Sequence, residues 1–356
     1  MMGPFPMRHP RRLLLAMLAV LLVRASVRAD DLVLDRFGDY LEALRTQAAI
    51  PGLAASVVSN SDIVWERAFG KQDVERSIAT RTDTPFHLDG LTQTFAASLI
   101  LRCVEEGGIG LDDRIGQFVA GTPEPDATVR QLLAHIAADG TFRYRPERID
   151  PLAYAIANCH NETFREKLAT GLDWLAMSAS VPGPDVVQLS PTADGVFTGS
   201  VLARYAAVLN RLATPYAVDS RGRATPSRYA PTTLTPSAGV VSTARDLGQF
   251  VVGLRKGVIV RPETLALAWR PPLGPGGQRL PHGLGWFVQT YNGETVIWQF
   301  GVGDNASSSL LVTVPGRDLT LVLLANSDGL VKGFPLAAGD LAVSPFGKLF
   351  LGLFVR

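Results

Sequence analysis

Residues 84–115 read Thr84-Pro-Phe-His-Leu-Asp-Gly-Leu-Thr-Gln-Thr-Phe95 and then Ala96-Ala-Ser-Leu-Ile-Leu-Arg-Cys-Val-Glu-Glu-Gly-Gly-Ile-Gly-Leu-Asp-Asp-Arg-Ile115. Residues 89–106 carry the apolar periodicity of a buried helix. Asp89, just ahead of that run, reads as its N-cap. The hydroxyls of Thr92 and Thr94 have no Lys or His nearby in sequence to activate them. The segment therefore predicts a buried helix over residues 89–106, with no reactive group at its start.

Working outward, Leu32 to Gln47 has helical spacing, with Leu34, Phe37, Tyr40, Leu41 and Leu44 on one side. Pro51-Gly52 breaks that pattern. Leu53–Val58 and Ile63–Phe69 then read as β-runs joined by Ser-Asn-Ser-Asp, a hairpin. Residues from about 90 to 280 are mostly helical patterns broken by Pro and Gly. Gly283–Val288, Thr295–Trp298, Ser309–Val314 and Leu319–Asn326 read as successive strands, and Pro345–Phe354 as a closing amphipathic stretch. Alternating β and α elements would otherwise suggest a doubly wound parallel sheet, but the hairpin spacing of the strands argues against it.

These blocks, in this order, resemble the serine β-lactamase and penicillin-binding-protein-like family, class C branch. Residues 84–115 match its nucleophile block. Pro51-Gly-Leu-Ala-Ala-Ser-Val-Val and Ala68-Phe-Gly-Lys-Gln-Asp-Val match its opening strands. Thr128-Val-Arg-Gln-Leu-Leu-Ala-His135 and Ser237-Ala-Gly-Val-Val-Ser-Thr-Ala-Arg-Asp-Leu-Gly-Gln-Phe250 match two of its helices. The resemblance spans roughly residues 45–350. It implies an α+β fold of β-lactamase/transpeptidase type, an antiparallel sheet flanked by helices with a large, mainly helical insertion. The sheet lobe is expected at about 30–85 plus 281–356 and the helical lobe at about 86–280, with the cleft between them.

The resemblance also locates the positions that carry the family's chemistry. The acylated serine and its lysine partner map to Gly90 and Gln93; glycine offers nothing to acylate, and an amide does not titrate near neutral pH. No other lysine (Lys71, Lys167, Lys256, Lys332, Lys348) has a serine three residues before it, and no Gly-x-Ser-x-Gly elbow occurs. Of the Tyr-x-Asn motif Tyr144 survives, but its Asn position is Pro146, which has no hydrogen-bonding side chain. A tyrosine packed with its hydroxyl on a neighbour is an equal reading of Tyr144. The third motif, His/Lys-x-Gly, maps to Phe300-Gly301-Val302 with both fixed positions replaced; a register one residue earlier gives Gln299-Phe-Gly301, which also lacks the cation. His135 matches a position read as structural, and the loop from it to Tyr144 is short, which trims one wall of the cleft. Gly90, Gln93, Tyr144 and Phe300 are the candidate cleft-lining, ligand-binding residues. A serine restored at Gly90 is expected to be tolerated, and a lysine at Gln93 to find little room beside Phe300.

Composition sets outer bounds. The chain has 356 residues, 47% hydrophobic and 19% charged, which suits a folded protein. A net charge of +1 gives no pull toward nucleic acid. Arg8, Arg11 and Arg12 precede an apolar run, Leu13–Val23, and small residues Val27 and Ala29, so residues 1–29 read as a leader cut ahead of Asp30. The run is about half the roughly 20 residues a bilayer span needs, so no stable span is expected after removal. The Arg11-Arg12 pair fits the twin-arginine route, but ordinary leaders share it and the general pathway is favoured. The mature chain, residues 30–356, is then periplasmic or secreted. Cys103, inside the apolar helix, reads as a buried free thiol rather than a partner of Cys159. His87, His135, His160 and His282 show no metal-ligand spacing, and no cofactor is expected.

The leading expectation is a non-catalytic pseudoenzyme whose cleft binds a small molecule or cell-envelope component. The rival is a serine-hydrolase-family enzyme with relocated chemistry, acting on an ester, amide or peptidoglycan-like substrate. A third reading is a structural protein whose cleft is filled by its own side chains, with Pro146, Phe300 and Val302 helping to fill it.

Overall fold

The computed structural model describes residues 32–230 and 233–355, so the leader expected over residues 1–29 lies outside the described residues. Helix α1 (32–47) leads into strands β1 (Gly52–Ser59), β2 (Asp62–Asp73), β3 (Ile78–Ala79) and β4 (Phe86–His87). A single 3-10 turn, Asp89–Leu91, opens α2 (Thr92–Glu105). Helices α3 (Val129–Leu133), α4 (Leu152–His160) and α5 (Phe164–Trp174) follow, then β5 (Val181–Pro182), α6 (Gly199–Leu209), β6 (Tyr216–Val218), β7 (Ala224–Pro226) and β8 (Val240–Ser242). The chain continues through α7 (Ala244–Arg255) and α8 (Pro262–Ala268) into β9 (Phe287–Tyr291), β10 (Glu294–Gly303), β11 (Ser307–Val314) and β12 (Leu319–Ala325), and closes with α9 (Pro345–Phe354).

Seven strands form one antiparallel sheet in the order β3-β2-β1-β12-β11-β10-β9. The β1–β2 hairpin turns at Asn60 and Ser61, both at positive φ (51° and 59°), the backbone that a right-twisted two-residue turn demands. Strand β1 lies inside the sheet and is buried from Gly52 to Val58, which is why its sequence is a nearly continuous apolar run.

The two faces follow the two-residue alternation of a strand. Leu310, Val312 and Val314 of β11 and Leu321 and Leu323 of β12 meet Phe37 and Leu41 of α1 and Phe346 and Phe350 of α9. The intervening Leu311, Val322 and Leu324 meet α2 and α7 on the other face. Helix α2 is buried along nearly its whole length, as its apolar periodicity requires.

Two expectations are corrected here. Asp89 does not cap the helix: Leu91 occupies the N-cap of α2 and Leu88 that of the 3-10 turn before it, neither with a side-chain cap, and Asp89 sits at φ 49° with its carboxylate turned toward β11. Cys103 is not a free thiol. The last turn of α4 lies against α2, bringing Cys159 to a Cα separation of 6.1 Å, and the two cysteines are bonded. Burial of Cys103 argued for an inert thiol only because nothing in the local sequence shows which helix covers it.

Candidate functional site

Strand β10 crosses the turn that opens α2, and its alternation decides what faces the site. Val296, Trp298 and Phe300 point to the α1/α9 side. Ile297 belongs to the opposite layer, so Gln299 and Gly301 share the face that meets α2. The third motif is therefore read one residue earlier than Phe300-Gly301-Val302. Its polar position holds Gln299, its glycine is retained as Gly301, and Val302 is a partly exposed rim residue.

Gly301 is where backbones touch. A Cβ there would lie 2.0 Å from the Leu88 carbonyl oxygen and 2.8 Å from the Gly90 nitrogen, so only glycine fits. The closeness is mutual: a Cβ at Gly90 would lie 2.9 Å from the Phe300 carbonyl oxygen, a backbone atom. A serine at Gly90 therefore cannot enter without moving β10, which corrects the expectation that it would be tolerated. The obstacle to a lysine at 93 is likewise different, since Phe300 turns its ring to the other layer.

What surrounds Gln93 is a chain of neutral groups. The His135 Nδ1 accepts the Arg145 backbone N–H at 3.3 Å, which assigns the ring proton to Nε2; this donates to Gln93 Oε1 at 2.9 Å. Gln93 Nε2 donates to the Tyr144 hydroxyl at 2.8 Å and to the Gly90 carbonyl at 3.0 Å. The Tyr144 hydroxyl donates to Gln299 Oε1 at 3.3 Å. Gln299 Nε2 then reaches His282 Nε2 at 3.4 Å, and His282 Nδ1 donates to the Gly283 carbonyl at 2.8 Å. Every donor runs in one direction, from His135 to His282.

Burial fixes this chain in its uncharged state. Desolvation holds the His135 imidazole well below its ordinary pKa and lowers His282 to about 3. The Tyr144 phenol is pushed far above its ordinary value, again by burial. A phenol so shifted is no base near neutral pH, and a neutral His135 imidazole with both ring nitrogens held in hydrogen bonds has no free lone pair to take up a proton. At the place where acylation needs a hydroxyl and a titrating amine, the fold holds a glycine and a satisfied amide.

Beside this chain lies a cavity of about 450 Å³, lined among others by Asp89, Gly90, Tyr144, Pro146, Phe300 and Val302. Pro146, which begins a 3-10 turn, Phe300 and Val302 therefore border the cleft without filling it, contrary to the third sequence reading. Asp89 Oδ2 accepts from the Ser307 hydroxyl at 2.7 Å, and burial raises its carboxyl to about 6, with nearby Asp304 adding to the shift. His87 is lowered to about 4 by burial and stacks on Tyr229 with ring centroids 4.0 Å apart. Ser237 also lines the cavity, but its hydroxyl pairs with Thr235 at 3.0 Å, and among the described residues no Lys or His hydrogen-bonds it.

Of the candidate cleft residues, Gly90, Tyr144 and Phe300 line the cavity, but Gln93 does not: it meets Gly90 and Tyr144 behind the wall, fully buried, with its amide taken by protein partners. The sequence names Gln299 only in the alternative register and reads His135 as structural and His282 as a bystander, whereas the structure joins all three to Gln93 and Tyr144. Strand alternation alone could have singled out Gln299, whereas the convergence of two histidines 147 positions apart, with ring centroids 4.8 Å apart, has no local signal. Among the described residues, the one group of three potential metal ligands is Cys103, Cys159 and His160, two of which are consumed by the disulfide.

The sequence matches the Beta-lactamase family model over residues 37–171 and 197–343. Penicillin-binding protein 4 of Amycolatopsis lactamdurans is 31% identical over 110 residues, 28% of this chain and 29% of that protein. Esterase EstB of Burkholderia gladioli is 31% identical over 106 residues, 28% of this chain and 27% of its own. These alignments thus span less than a third of either relative. Among solved structures, the octameric penicillin-binding protein homologue from Pyrococcus abyssi superposes with a TM-score of 0.69 at 20% identity, covering 83% of this chain and 74% of that one. A class C beta lactamase from Rhodobacter sphaeroides gives 0.65 at 17% identity, over 90% and 98%.

Proposed function

The chain belongs to the β-lactamase family, and from that premise we propose that it is a catalytically silent member, exported from the cytoplasm, that uses the family's cleft to bind a small molecule or cell-envelope component. The observation that carries the silent reading is the neutral hydrogen-bond chain through Gln93. Gln93 uses both ends of its amide on protein partners, and no group along the chain titrates near pH 7. A ligand role is supported by the cavity that remains beside Gly90. Export is supported by the leader-like residues 1–29 and by the Cys103–Cys159 bond, since disulfides persist in oxidising compartments.

The test is incubation of the mature protein with a fluorescent penicillin and an activated phosphonate, followed by intact mass. No adduct is expected. A stoichiometric adduct on any cleft residue would instead establish the rival reading, an esterase, amidase or peptidase with relocated chemistry. For export, amino-terminal sequencing of protein recovered outside the cytoplasm should begin near Asp30; recovery of Met1 would refute it.

A further inference from the structure

The chemistry of the cavity wall narrows what the cleft can hold. Asp89, Glu147 and Asp304 all line the cavity, and among the described residues no Lys or Arg does. Asp89 is the partly buried member. Its Oδ2 is taken by Ser307, and among the described residues Oδ1 has no hydrogen-bond partner. Its charged neighbour among the described residues is another carboxylate, Asp304. None of the three is in an ion pair with another described residue. A carboxylate sunk in a cleft without a counter-charge is costly, and a bound cation removes that cost.

The remaining wall decides which kind of cation. Tyr144 and Tyr229 line the same space, and aromatic rings beside carboxylates attract organic cations through the ring quadrupole. His87, which also lines the cavity, is held neutral and offers no competing charge. A bare metal ion needs several ligand atoms converging on one point. Among the described residues the cleft carboxylates form no such group, whereas Cys103, Cys159 and His160 do. The volume, about 450 Å³, suits a small molecule rather than an ion.

We propose that the cleft takes an organic cation, a small molecule bearing a quaternary or protonated amine seated between the Asp89 side and the tyrosines. This rests on the ligand-binding reading above and names the ligand class. A carboxylate ligand entering here would meet three carboxylates and, among the described residues, no lining Lys or Arg.

Three probes of nearly equal shape separate charge from size: choline, its uncharged isostere 3,3-dimethylbutan-1-ol, and the anion 3,3-dimethylbutanoate. Each is titrated into the mature protein at pH 7.5 and low salt, with binding read by calorimetry and by protein chemical-shift changes. Choline should bind at least tenfold more tightly than either analogue. Asp89→Asn should weaken choline at least fivefold. The double variant Glu147→Gln/Asp304→Gln, at exposed positions where folding is not at risk, should weaken it about threefold.

Equal or tighter binding of the alcohol or the anion would overturn the cation proposal while leaving a ligand-binding cleft in place. Choline binding that neither variant changes would place the cation elsewhere and also overturn it. No binding by any probe up to 50 mM, a limit on the order of the weakest useful small-ligand affinities, would overturn it too. The silent reading fails separately, through a covalent adduct in the acylation experiment.

Discussion

Replacing Gly90 with serine is the perturbation whose cost can be worked directly from the structure. The added Cβ would sit 2.9 Å from the Phe300 carbonyl oxygen, with Gln93 Nε2 and Gly301 Cα next at 3.5 Å. The close atom is backbone, so relief requires moving β10. That strand is pinned on the same side by Gly301, whose Cα already lies against Leu88 and Gly90. Overpacking of this kind costs about 1–3 kcal/mol. Gly90 is not at a positive φ, so the substitution also stiffens the unfolded chain, offsetting about 0.4–1 kcal/mol. A net loss of about 1–2 kcal/mol is expected. Gly90→Ala should lose as much, because the clash belongs to Cβ and not to the hydroxyl.

Adding Gln93→Lys removes the acceptor of the buried His135 Nε2–H, leaving an unsatisfied donor worth about 1–3 kcal/mol. It also buries an ammonium, which burial drives toward its neutral form. Urea denaturation of parent, Gly90→Ala, Gly90→Ser and the Gly90→Ser/Gln93→Lys double variant measures these terms. Nitrocefin and p-nitrophenyl ester turnover reports chemistry, which should remain at the blank because catalytic groups act as a set. A Gly90→Ser protein within about 0.3 kcal/mol of the parent, inside the usual scatter of surface substitutions, would refute the steric argument. Turnover by the double variant comparable to an ordinary family enzyme would refute the account of the hydrogen-bond chain.

Two further outcomes follow from buried groups. The Asp89 carboxyl is raised from 3.8 to about 6, so its ionised form is disfavoured in the fold; that penalty is absent below about pH 4, grows between 4 and 6, and is constant above. Asp89→Asn should therefore stabilise the protein at pH 7.5, by at most about 3 kcal/mol at 1.36 kcal/mol per pKa unit, and give no gain at pH 4. Equal gains at both pH values in thermal or urea unfolding would show that ionisation is not the cause. Breaking the Cys103–Cys159 bond, which closes a separation of 56 residues, should cost up to about 4 kcal/mol. Denaturation of the Cys103→Ser/Cys159→Ser variant with and without reductant checks this; a reductant-sensitive parent and an insensitive variant are expected.

The amino-acid sequence alone determined the family, through blocks of matching residues in a fixed order, and the order of the strands, because sheet pairing and helix burial repeat at periods of two and 3.6 residues that survive in the chain. It also determined that position 90 has no nucleophile and position 93 no titrating amine, since those are matters of residue type. Tertiary structure decided the rest. That Gln299 and not Phe300 faces Gln93 depends on which pleat of β10 meets α2, and a one-residue slip exchanges the faces. The turned-out Asp89 carboxylate, the Cys103–Cys159 bond and the His135-to-His282 chain join residues that are tens to hundreds of positions apart. No local pattern marks such meetings, because they are made by the packing of whole elements and by the desolvation that packing imposes.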